Sequence, residues 1–176
     1  LRIIDRVKDV GALSDGTLFA PKLLENKLKF FPFVKEAVAF GDGHDRVCMF
    51  VNIDMTAVGG WADKRNIAYT GHADLASRPE VHRLIGECVA KVNADLAADV
   101  SLARSQIHRF LVLHKELDAD DGELTRTRKV RRDVIGERYR VLVEALYSGQ
   151  SSVRVDAEVR YEDGRTGLLS ADVSLC

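Results

Sequence analysis

Five cations crowd into seven positions near the end of the chain: Arg126, Arg128, Lys129, Arg131 and Arg132. Hydrophobic spacing predicts a helix over 130–147, so the cluster lies just before and within that helix's first turn. A helix start carries a partial positive charge of roughly half a unit, and each cation there costs a few tenths of a kcal/mol. A sequence tuned only for stability would place Asp or Glu at this point. Cationic side chains beside unpaired N–H groups suit an anion, above all a phosphate. The competing reading is a solvated charged face, offset by Asp118, Asp120, Asp121 and Glu123. A second charged run, Asp5-Arg6-Val7-Lys8-Asp9, lies between two apolar pieces and by itself reads as a surface turn.

The remaining candidates carry less. Asp118-Ala119-Asp120-Asp121-Gly122 hints at a calcium loop, but such a loop needs Gly at its sixth position and Glu at its twelfth. Here those positions hold Glu123 and Lys129. His44, His72, His82, His108 and His114 show no ligand spacing, and no metal site is expected. Gly41-x-Gly43 and Gly59-Gly60 are too short to cradle phosphates. Cys48, Cys88 and Cys176 are odd in number and none pair as C-x-x-C. That usage points to buried structural thiols in a reducing compartment, hence the cytoplasm.

The elements that must position these residues follow from periodicity and turn chemistry. Residues 1–19 read as short extended pieces around Ser14-Asp15-Gly16. Pro21 suits a first helical turn, with Leu24, Leu28 and Phe31 on one face. Strands are expected over 34–40 and 47–53, joined by the turn 41–45, and again over 107–113. A weaker helix is expected over 56–66. Ser77-Arg78-Pro79-Glu80 matches a capping box, followed by Val81, Leu84, Ile85, Cys88, Val89, Val92 and Leu96 on one face. Residues 118–129 read as a charged loop. The tail alternates from Val153 to Tyr161, turns at Asp163-Gly164, and alternates again through Leu175. The implied fold class is α+β: a small mixed sheet of about three to five strands flanked by helices. A short N-terminal two-stranded hairpin and a C-terminal β-hairpin, 151–176, complete it.

Composition sets the bounds. With 176 residues the chain suits about one domain of roughly 100–200 residues. Lys and Arg number 26 against 27 Asp and Glu, a net charge of −1, which argues against an electrostatic nucleic-acid binder. No apolar run approaches the ~18 residues of a bilayer span. The chain opens Leu1-Arg2-Ile3-Ile4 with neither Met nor an apolar signal region, and is expected to be part of a longer polypeptide.

Two segments together carry a resemblance. Asp5-Arg6-Val7-Lys8-Asp9-Val10, then Leu13-Ser14-Asp15-Gly16, then Ala20-Pro21 with Leu24-Glu25, resembles the hinge segment of acyl- and aryl-CoA synthetases. These belong to the adenylate-forming, AMP-binding superfamily. The stretch 122–132, Gly-Glu-Leu-Thr-Arg-Thr-Arg-Lys-Val-Arg-Arg, resembles the late lysine motif of the long-chain fatty acyl-CoA ligase branch. Ala37-Val38-Ala39-Phe40-Gly41-Asp42, Trp61-Ala62 and Ile107-His108-Arg109-Phe110 follow in similar order, so the likeness covers roughly residues 1–147.

The resemblance implies that residues 1–150 are the mobile C-terminal lid domain of such a ligase. A large N-terminal domain, outside this chain, would hold the ATP and acyl pockets and the magnesium site. The implied reaction joins a fatty acid to coenzyme A, with ATP giving AMP and pyrophosphate through an acyl-adenylate. The lid alone is expected to be inactive. By resemblance Lys129 is the catalytic lysine between carboxylate and α-phosphate, and Arg6 contacts the AMP ribose. Lys8 is the hinge, and Leu13, Ser14, Asp15 and Gly16 form the loop of the CoA channel. The family often has Pro where Arg126 stands, an apolar or small residue where Arg128 stands, Glu where Thr17 stands and Lys where Ala12 stands. The implied partners are the enzyme's own large domain, a fatty acid, ATP and CoA, in the cytoplasm with peripheral membrane contact left open. The alternatives are a stand-alone module gripping nucleic acid or another anion, which a steep salt slope of binding would reveal, and a dimerisation module built on the tail.

Overall fold

The computed structural model describes residues 10–160 and 166–176; Arg6, Lys8 and the Asp163-Gly164 turn lie outside them. The centre is a three-stranded sheet. Strand β3 (Val34–Phe40) pairs antiparallel with β4 (Val47–Ile53), and β4 pairs parallel with β5 (Ile107–Val112). All seven residues of β4 are buried, as its unbroken run Val-Cys-Met-Phe-Val-Asn-Ile requires. Alternation is lost in such a strand because both faces are covered.

One face packs against α1 (Pro21–Lys29), α2 (Met55–Asp63), α3 (His72–Ser77) and α4 (Pro79–Ala97) through Leu24, Leu28, Val58, Leu75, Ile85 and Val92. The other packs against α5 (Arg132–Arg138) and α6 (Arg140–Tyr147) through Phe50, Leu111, Ile135, Leu142 and Leu146. Strands β1 (Gly11–Ala12) and β2 (Leu18–Phe19) form the expected small hairpin before α1. The mixed α+β architecture agrees with the sequence pattern. No helix among the described residues is long and apolar enough to cross a membrane.

Three local expectations differ. Ser77 does not cap α4: it closes α3, and its hydroxyl donates to the Asp74 carbonyl (2.8 Å), while Arg78 stands at the N-cap without a side-chain bond. Pro79 at the first position needs no N–H acceptor, so α4 starts without the box. The helix expected over 130–147 is broken at Tyr139, whose φ/ψ of −104°/29° leaves the helical well. Its front piece, α5, is seven residues long and has Asp133 in its first turn. The argument from an uncompensated helix start therefore lapses.

The tail hairpin, β6 (Ser152–Arg160) with β7 (Thr166–Ser174), runs back along the sheet. Phe110 and Cys176 exchange both backbone hydrogen bonds at 2.9 Å, so the chain end covers the free edge of β5. Val173 and Leu175 join the core of the α5–α6 face. A cleft of about 580 Å³ lies between β7, the end of β5 and α3, with His72, His82 and His114 in its walls. The His72 Nδ1–H donates to the His114 carbonyl (3.2 Å) and the His82 Nε2–H to that of Ala76 (2.8 Å).

Burial lowers the pKa of all three histidines; Lys115 and His72 add to the effect at His114, where Glu123 opposes it. A histidine so placed is neutral in the fold and binds its proton more readily once unfolded, where its pKa is about 6.5. Stability is thus complete above about pH 6.5 and falls as pH drops toward the folded values. Thermal melts between about pH 7 and pH 5 should show a falling midpoint, with His72→Gln/His114→Gln flattening the slope; an unchanged slope would contradict the assignment.

Candidate functional site

Lys129 lies on a short exposed loop that closes on itself. Leu124 and Val130 form an antiparallel bridge. Inside it, the Thr125 N–H donates to the Lys129 carbonyl (2.8 Å) and the Arg128 N–H to the Thr125 carbonyl (2.8 Å). The Lys129 N–H donates to the Thr125 hydroxyl oxygen (3.0 Å). Arg128 takes a left-handed backbone, φ 58°, which costs a non-glycine residue about 1–2 kcal/mol and closes the turn directly before the lysine. Lys129 is exposed, and among the described residues its ammonium has no hydrogen-bond or ion-pair partner.

Two buried carboxylates hold this loop to the body. Glu123 is fully buried. One carboxylate oxygen accepts from the Tyr139 hydroxyl (2.6 Å) and from Arg138 (3.0 Å), the other from the Asp118 N–H (2.9 Å). Its carbonyl accepts from the Arg131 N–H (2.9 Å). Glu123 therefore ties together the residues before the loop, those after it and the break between α5 and α6. Burial first, and then Glu123, push the Tyr139 phenol far above its ordinary range, so it remains a donor.

Glu25, on α1, is the second anchor. It accepts from the Ala39 N–H of β3 (2.9 Å) and from the Arg132 guanidinium. Arg132 is thus held in an ion pair with a buried carboxylate. Burial pushes the Glu25 carboxyl above its ordinary range; Arg132 and the Ala39 N–H pull it back without fully offsetting that cost. From the central strand, Asn52 donates to the Lys115 carbonyl (2.8 Å) and accepts from the Leu117 N–H (2.9 Å), fixing the path into the loop.

The 13–16 segment is held separately. Leu13 is buried, while Ser14, Asp15 and Gly16 are exposed. Gly16 has φ 83°, a conformation that favours glycine. The Ser14 N–H donates to the His44 carbonyl (2.8 Å), the Gly43 N–H to the Ala12 carbonyl (2.8 Å), and the Ala12 N–H to Asp42 (2.9 Å). This lashes the segment to the β3–β4 turn. Phe19 fills the space a Cβ would need at Gly11 and Gly41, at 2.5 and 2.8 Å. Thr17, and then Arg104, hold the Asp15 carboxyl below its usual range.

Of the residues singled out from sequence, Lys129 and 14–16 project from the body and Leu13 anchors in it. Cys48 and Cys88 are buried, and burial pushes the Cys48 thiol up to about 11; Cys176 is exposed. Asn52 was not singled out, and Glu25, Glu123 and Thr125 entered only as motif members or counter-charges, not as anchors. An acidic residue between Gly122 and an apolar Leu124 was the one available signal for Glu123, but sequence alone reads it as solvated.

Comparison with known proteins gives consistent neighbours. The AMP-binding enzyme C-terminal domain family matches residues 8–151. Long-chain-fatty-acid–CoA ligase FadD15 of Mycobacterium tuberculosis (strain ATCC 25618 / H37Rv) is 36% identical over 150 residues, 84% of this chain and 24% of that protein. Human long-chain-fatty-acid–CoA ligase 6 is 27% identical over 150 residues, 84% of this chain and 21% of that protein. The chain thus spans about a quarter of the length of the curated relatives it matches. Among solved structures, the adenylation domain of a carboxylate reductase from Mycobacterium chelonae superimposes with a TM-score of 0.60 at 25% identity, covering 82% of this chain and 20% of that one.

The Glu25–Arg132 pair gives a direct test of the anchoring. Arg132→Ala strands a buried carboxylate and should cost about 3 kcal/mol, the low end for a broken buried pair because the Arg132 side chain is 32% exposed. Glu25→Leu/Arg132→Leu together should cost less than Arg132→Ala, read as urea midpoints. A larger loss in the double variant would show that the pair stabilises by more than mutual compensation.

Proposed function

The chain belongs to the C-terminal domain family of AMP-binding enzymes, and from that premise we propose that it is the mobile lid of an ATP-dependent long-chain fatty acyl-CoA ligase. Lys129 serves adenylation and the 13–16 segment serves thioester formation. The observation that carries this reading is the unpartnered, exposed Lys129 side chain on a loop whose backbone is fastened from within. Arg132 and Arg138, by contrast, are paired with buried carboxylates.

In the first half-reaction a fatty-acid carboxylate oxygen attacks the α-phosphorus of ATP and pyrophosphate leaves with the bond's electrons. Two anions must meet. An ammonium between them reduces their repulsion and stabilises charge developing on the transferred phosphoryl group. In the second, the CoA thiol loses its proton and attacks the acyl carbonyl, and AMP departs. That step needs a thiol path rather than a cation, and the exposed 14–16 turn, with glycine at its tip, suits the wall of such a path. Presenting the two loops in turn requires rotation about a hinge, which we assign to Lys8, with Arg6 toward the AMP ribose.

The large domain, with its ATP and acyl pockets, is assigned to the remaining length of the relatives, with residues 1–150 as lid and 151–176 as an added hairpin. Magnesium, which is usually held by one or two carboxylates together with substrate phosphates, is assigned to that large domain beside the ATP pocket. Free cysteines and a fatty-acid substrate fit a cytoplasmic enzyme with access to membrane lipid.

In the full-length enzyme Lys129→Ala should lower acyl-adenylate formation about 10²–10³-fold, the usual cost of removing one charge-stabilising donor. Thioester formation from supplied acyl-adenylate should be largely retained. Pyrophosphate release and thiol consumption read the two steps apart, and an equal loss in both would sink the assignment.

A further inference from the structure

We propose that Thr125 is the positioning residue for Lys129, its hydroxyl fixing the lysine's backbone so that the ammonium reaches one place; this rests on the reading of Lys129 given above. A lysine carries its charge on a flexible four-carbon stem. Where the ammonium can act therefore depends on where the Cα stands and which way the Cβ leaves it. A misplacement of about 1 Å can cost 10²-fold in rate.

The loop is closed by the Leu124–Val130 bridge, the Thr125 N–H to Lys129 carbonyl bond and the Arg128 N–H to Thr125 carbonyl bond. These are backbone interactions that survive a change of side chain. The remaining fastening, Thr125 Oγ1 to the Lys129 N–H at 3.0 Å, depends on a hydroxyl at position 125. It is the side-chain bond made to the lysine's own amide.

Two further observations show that the loop holds a particular conformation. Arg128 is held at φ 58° although it is not glycine, and strain of this kind persists where surroundings over-determine the backbone. The Thr125 hydroxyl also shares a 3.0 Å hydrogen bond with the Thr127 hydroxyl, so its rotamer is fixed from both sides. Thr125 is half-buried, and its side-chain bonds go to Thr127 and Lys129, both within the loop. Glu123 sets the base of the same loop, and Thr125 sets its mouth.

The experiment uses the full-length enzyme with Thr125→Val, Thr125→Ser and Lys129→Ala, each measured in both half-reactions together with its melting temperature. Thr125→Val should lower the adenylation kcat about tenfold, equivalent to about 1.4 kcal/mol. The KM for ATP, the rate of thioester formation from supplied acyl-adenylate and the melting temperature should stay unchanged. Thr125→Ser, which restores the hydroxyl, should recover most of the adenylation rate. Wild-type adenylation in Thr125→Val, no recovery in Thr125→Ser, or a matched loss in both half-reactions or in melting temperature would overturn the positioning role. If Lys129→Ala itself adenylates normally, the reading of the lysine has failed; if it is inactive while Thr125→Val is normal, the positioning inference alone has failed.

Discussion

A cation that acts on a ligand must be free at its tip and fixed at its root, and these demands conflict. Free lysine ammonium groups wander, and paired ones are spent. The structure meets both by placing the pairing in neighbouring residues. Arg132 and Arg138 turn inward onto Glu25 and Glu123, which locks the chain on the C-terminal side of the loop, and Lys129 is left exposed between bonds made by its backbone alone. Burying those two carboxylates is costly, and each is compensated by several donors at once, as a buried charge requires.

The sheet is the frame that makes this possible. Because β4 is buried on both faces, the helices of one face and the α5–α6 pair of the other are fixed relative to each other. Glu25 on α1 then reaches across to Arg132 at the start of α5. Asn52, on the same strand, directs the chain from β5 into the loop. Arg109 on β5 donates to the Leu146 carbonyl (3.1 Å) at the end of α6, satisfying a helix C-terminus with a cation as its dipole favours. The 13–16 segment is lashed to the β3–β4 turn by backbone bonds. Both loops therefore ride on one sheet.

The tail shows how an addition is accommodated. Strict alternation from Val153 onward predicted a hairpin, and its position follows from the open edge of β5. An unpaired edge invites pairing, and the last residue satisfies it through Phe110. Half-buried His72 and buried His114 stand beside β7, and burial lowers the pKa of both.

The sequence by itself determined the α+β class, the strands β3, β4 and β5, the tail hairpin and the two loops worth attention. These depend on periodicity, on turn residues such as Gly16, and on motifs read along the chain, all of which are local. Tertiary structure alone decided that Arg132 and Arg138 are paired while Lys129, among the described residues, is not. Arg132 and Lys129 are three residues apart and chemically alike, and only the partner 107 positions away, Glu25, distinguishes them. It also decided that Ser77 closes a helix rather than opening one, that the helix over 130–147 breaks at Tyr139, and that Glu123 is buried rather than solvated. The pairing of Arg132 and the burial of Glu123 turn on tertiary packing, and a carboxylate's environment is not encoded in its neighbours along the chain.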